Sequence, residues 1–168
     1  MDLQAQKFIL SEEASMSGKL VETAIKEKLT GEKQKNALDF ITSMQKNGFS
    51  FNGWSDGDSE GWDPTYDGKG FGCVLVHDAF MFFIGLAWDF GRSDIEVDDE
   101  LKEFACSSTT ICPQSSCEPP YCQGENHSKN RWQIFGKQYE STCHSPLQFI
   151  DPDSKTLDNI LKLLLATK

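Results

Sequence analysis

A chain of 168 residues with 38% apolar and 25% charged side chains is long enough for one domain with a real core and too short for two. No apolar run approaches the ~20 residues that span a bilayer, and the frequent aromatic residues argue against general disorder. The net charge of −10 arises within residues 50–100, where twelve acids face only Lys69 and Arg92. Such a field repels nucleic-acid phosphates and favours cations or a basic partner, so direct nucleic-acid binding is not expected.

The start, MDLQAQKFIL, has no basic lead, long apolar core or small-residue cleavage site. A cytoplasmic location is therefore expected, with residues 1–10 a candidate disordered lead and no membrane association. Ser11-Glu12-Glu13 has the form of a helix start, and Leu20, Val21, Ala24, Ile25 and Leu29 recur at helical spacing. Thr30-Gly31 interrupts. A second amphipathic helix carries Ala37, Leu38, Ile41 and Met44 on one stripe and ends at Gly48.

Phe49 to Trp54 alternates as a half-buried strand. Asp56 to Asp67 reads as a polar connection between strands. Gly70–His77 and Phe80–Trp88 are two further strands, joined by a turn at His77-Asp78-Ala79. The second is apolar on both faces, with Phe80, Phe82 and Ile84 on one and Met81 and Phe83 on the other. That pattern predicts cover on both sides, from helices, a curled sheet or a homodimer interface.

Asp98 to Ala105 forms a short helix with acids in its first turn. Residues 106–130 lack apolar periodicity, and a loop of that length needs something to hold it. Trp132 to Glu140 reads as a hairpin turning at Gly136-Lys137. Phe149-Ile150 ends a short strand. Asp151-Pro152 supplies an N-cap and a first-turn proline to a last amphipathic helix, with Leu157, Ile160, Leu161, Leu164 and Leu165. The fold class is α+β, residues 1–168 forming a single domain. Its parts are two N-terminal helices, an antiparallel sheet with a central apolar hairpin, a Cys-rich loop and a C-terminal helix.

The cysteines fall as Cys106-x5-Cys112-x4-Cys117-x4-Cys122, with His127 and Cys143-His144 beyond. Thiolates this close in sequence, on a loop without a hydrophobic reason to fold, suit a structural zinc site. Four ligands come from Cys106, Cys112, Cys117, Cys122, Cys143 and His127, with Cys112, Cys117 and Cys122 the first to keep. Neither a C-x2-C knuckle nor an iron–sulfur spacing is present. Disulfides of a secreted protein, or unlinked thiols, are the alternatives. Cys73, within an apolar strand, reads as a small buried hydrophobe.

Thiol catalysis finds little support. Cys143 and His144 are strand neighbours on opposite faces, and Cys73 and His77 stand ~13 Å apart along a strand. A metal-dependent hydrolase or thiol enzyme using the Cys/His loop is the runner-up function.

Residues 56–67 match a calcium loop in outline, with oxygen ligands at positions 1, 3, 5 and 12 and glycine at 6. Asp63 at position 8, Asp67 in place of a bidentate glutamate and flanking strands disagree, so calcium is not expected. Trp62 is the tryptophan expected to be exposed, where neighbouring carboxylates would let it receive a cation. Asp56, Asp58, Glu60, Trp62, Asp63 and Asp67 form the candidate contact set. The leading function is a non-catalytic binding or regulatory protein. It acts through the acidic segment on a basic protein partner, or through an aromatic cleft on a small ligand.

Overall fold

The computed structural model describes residues 21–56, 59–84, 95–111, 132–139 and 142–167, with the backbone alone given at Asp56, Ser59, Ile111, Trp132 and 142–145. The expected helix start at Ser11, Leu20 and the end of the apolar run at Leu86–Trp88 lie outside these residues.

Helix α1 covers residues 21–28 and α2 runs Gly31–Lys46. The break between them is closed by Gln34, whose Nε2 donates to the carbonyls of Leu29 (2.6 Å) and Lys26 (3.1 Å). These carbonyls would otherwise be orphaned at a helix end. Gly48, at φ 90, terminates α2 as its sequence predicts.

Strands β1 (Ser50–Asp56), β2 (Ser59–Tyr66), β3 (Lys69–Gly70), β4 (Cys73–Val76) and β5 (Phe80–Ile84) follow. Helix α3 (Asp99–Ser107) leads into β6 (Thr109–Ile111). The chain continues with β7 (Trp132–Ile134), β8 (Lys137–Tyr139), β9 (Thr142–Ile150) and α4 (Ser154–Ala166). The main sheet is antiparallel in the order β1-β2-β4-β5-β9-β6, with β3 also pairing β2. β7 and β8 form the expected hairpin. Its turn lies at Phe135 (φ 46) and Gly136 (φ 81), the two left-handed positions a two-residue hairpin loop favours.

The register sorts side chains into two faces. Trp62, Val74, Phe82 and Phe149 stand in line across four strands, and so do Gly61, Leu75, Met81 and Ile150. The first row is buried beneath the helices. Phe40 of α2 sets its ring edge-on to Phe80 and Phe82, at 6.2 and 5.4 Å between centroids. Phe104 of α3 stacks on Phe149 at 5.7 Å. Helix α4 adds Leu157, Ile160, Leu163 and Leu164. Each such side chain contributes ~1.5–3 kcal/mol of burial, so this inner layer is the core.

The described helices cover one sheet face, so that Phe80, Phe82 and Ile84 are buried while Met81 and Phe83, on the other face, are half-buried. Three expectations need correction. Most of the polar connection is a strand, β2, paired along its length with β1. Its inward residues Trp62 and Pro64 are buried and the intervening positions are polar or glycine. β9 has nine residues where a short strand is expected.

The cap of α4 is Asp153, whose Oδ1 accepts from the Thr156 N–H at 2.8 Å. Asp151 has another task. At φ 44 it donates its own N–H to the Phe80 carbonyl (2.8 Å) and accepts from the Phe80 N–H through Oδ1 (2.9 Å). It therefore closes the β5–β9 ladder, while its second oxygen takes the Lys33 ammonium of α2.

Candidate functional site

The sheet face away from the helices grades from polar to apolar. At the β1 side, Ser50 and Thr65 hydroxyls meet at 2.8 Å. Next, Trp54 of β1 donates its indole N–H to Asp63 Oδ1 of β2 at 2.9 Å. The six-membered ring of Trp54 lies over Gly61. A Cβ at that position would overlap the indole and come 2.9 Å from Leu75 Cδ2. Position 61 is therefore glycine for close approach, a use distinct from a turn. Leu75, Met81 and Phe83 follow, half-buried, and Ile150 ends the row. Trp54 at 39% and Ile150 at 65% exposure are the large apolar side chains open to solvent among the described residues.

Trp62 corrects the expectation made for it. It is only 4% exposed, because its strand position faces Gly53 and Val74 on the helix side. Its indole N–H is buried without a partner among the described residues. Among the described residues, the solvent-facing tryptophan beside a carboxylate is Trp54, which the alternation from Phe49 and Phe51 places on the opposite face.

Among the described residues, the acids of the contact set do not converge. Asp63 supports Trp54. Glu60 pairs with Lys28 of α1 at 3.2 Å, and the same ammonium donates to the Val76 carbonyl. Asp67 sits exposed at φ 50 in the β2–β3 turn. Asp56 ends β1, and Asp58 lies outside the described residues. Asp98, Asp99 and Glu100 belong to the start of α3, where Asp98 Oδ1 caps the Leu101 N–H at 2.7 Å.

Cys73 lies on the outer face with its thiol half-buried. Burial, then the nearby Asp63 carboxylate, push it up from 9.0 to about 12, so it is protonated and unreactive near neutrality. Cys106 stands in the last turn of α3. Its thiol reaches the Ile134 carbonyl at 3.7 Å, and the Tyr139 hydroxyl donates to the Cys106 carbonyl at 2.9 Å. Both cysteines are free thiols. Cys112, Cys117, Cys122 and His127 lie outside the described residues. Cys143 is on β9, and the pairing of β6 with β9 sets Ile111, the residue before Cys112, against Thr142, the residue before Cys143.

Among the described residues, no three His, Cys, Asp or Glu side chains group closely enough to hold a metal ion. No helix of these residues is long and apolar enough to cross a membrane. Two clefts flank α4. One, against α2, is lined by Asn36, Asp39 and Ser43 with Asp158 of α4; the other, against the start of α3, is lined by Asp98 and Glu100 with Lys155 and Lys162 of α4. No protein-family model, curated protein or solved structure matches this chain.

Proposed function

We propose that this chain is a non-catalytic binding protein that meets a basic protein partner through the outer face of the β1–β2 hairpin. The observation that carries the reading is Trp54, held across Gly61 by Asp63 yet 39% exposed. An indole ring braced by a carboxylate seats a lysine or arginine, whose charge is drawn both to the ring face and to the acid. The surrounding acidic field would speed encounter with such a partner. The raised Cys73 thiol argues only against Cys73 as a nucleophile, which needs the opposite shift.

A structural zinc ion belongs to the same proposal, held by Cys112, Cys117 and Cys122 with Cys143 as the fourth ligand. The β6–β9 register supports that fourth choice, because it sets Ile111 and Thr142, each one residue before a cysteine, opposite one another. The Cys106 thiol, engaged with Ile134, and His127 stand in reserve. Zinc here would order a segment and take no part in a reaction; thiolate ligands imply a reducing compartment, the cytosol. Protein purified under reducing conditions should carry one zinc per chain, with three or four thiols protected until a chelator is added. Metal-free protein with all six cysteines freely reactive would contradict this part.

The binding reading is tested by titrating the full chain with poly-lysine and following tryptophan emission. Affinity should fall at least ~10-fold between ~50 and ~500 mM salt, as screening removes the attraction. Binding that ignores salt would overturn it.

A further inference from the structure

We infer that β1 is an acceptor edge, to which a basic, extended segment of the partner adds as a further strand of the sheet. This rests on the basic-partner reading above and specifies the form the partner takes.

β1 is the terminal strand of the main sheet, and its seven residues keep unbroken register with β2 from Ser50–Thr65 to Asp56–Ser59. No described strand pairs with its other side. Asn52, Gly53, Trp54 and Ser55 are all exposed, so consecutive positions are open on both faces. A bare strand edge is a row of unpaired N–H and C=O groups, and folds usually blunt it with a lysine, a proline, a bulge or brevity. The opposite edge, β6, is blunted: it has three residues and an irregular register between Thr109 and Ile111. β1, SFNGWSD, has none of these devices, and its single charge stands at the end.

Charge decides the occupant. A second copy would bring another net charge of −10 against this edge, whereas a basic strand brings the complement. Strand addition also fixes spacing, since alternate side chains of the incoming segment fall on the outer face beside Ser50, Asn52 and Trp54. Lysine or arginine at those positions meets the Trp54 ring and Asp63. The intervening positions fall beside Gly53 and Ser55, where small side chains fit. The recognised segment therefore alternates basic with small residues.

The test uses the full chain and a peptide of about ten residues alternating lysine and threonine. Two controls accompany it: the same peptide with alternate backbone amides N-methylated, and one with glutamate for lysine. The lysine peptide should bind and shift Trp54 emission, N-methylation should weaken it at least ~10-fold, and the glutamate peptide should not bind. Asp63→Asn, which removes charge but keeps a hydrogen-bond acceptor for Trp54, should weaken binding several-fold. Equal binding of the N-methylated peptide overturns the edge inference and leaves the basic-partner reading standing. So does failure of the lysine peptide when poly-lysine still binds. If neither binds, the reading itself falls. A reversible dimer broken by Asn52→Lys would assign the edge to a second copy and overturn the inference.

Discussion

Gly61 and Trp54 show how one absent side chain shapes a surface. The indole crosses the glycine and hands its N–H to Asp63, so two neighbours position a ring that still faces water. Gly61→Ala puts a methyl group where the ring lies. Trp54 must then leave, and the expected loss is about 1–3 kcal/mol of stability. Its emission should move to the red as the ring becomes more exposed. Chemical denaturation followed by fluorescence checks both outcomes, and an unchanged emission maximum would show that Trp54 does not need the gap. Choosing between the tryptophans was possible from the sequence by parity. Counting by twos from Phe49 and Phe51 puts Trp54 on the other face, but the burial of Trp62 depends on β2 being a strand.

At the scale of elements, Asp151 joins three of them. Burial acts to raise its pKa, but hydrogen bonds from Lys33 and the Phe80 N–H, with the Lys33 charge, hold it below the ordinary carboxylate range. With the folded value below the unfolded one, its contribution is complete above the unfolded value and is lost as pH falls through the folded value. Asp151→Asn should cost about 1 kcal/mol at neutral pH. It should also flatten the acid limb of a stability–pH profile, since the side chain no longer titrates. An acid limb as steep as that of the parent chain would contradict the assignment.

The helices were legible because each keeps one apolar stripe, as Ala37, Ile41 and Met44 do in α2. The β7–β8 hairpin was legible from its aromatic and apolar flanks around Gly136. β2 was hidden because Gly61 and Pro64 interrupt a run whose other outward positions are acidic or polar; pairing on both sides holds such a strand more than its own propensity does. Asp151 and Asp153 could not be told apart as caps, since the choice is made by Phe80, distant in sequence.

Over the whole molecule, charge and topology divide the work. The described acids of residues 50–100 do not form one patch: they are spread over the β1–β2 hairpin, the strand turns and the start of α3. Charge alone would therefore draw the proposed basic partner without saying where it lands. Topology supplies the location. The helices occupy the inner sheet face, which leaves the outer face, the β1 edge and Trp54 as the surface where aromatic, acidic and unpaired backbone groups coincide. Amide hydrogen exchange of the full chain, with and without poly-lysine, tests this most directly. Protection should rise in residues 50–56 and 59–66 while the start of α3 stays unchanged. Protection gained around Asp98, Asp99 and Glu100, with β1 and β2 exchanging as before, would contradict it.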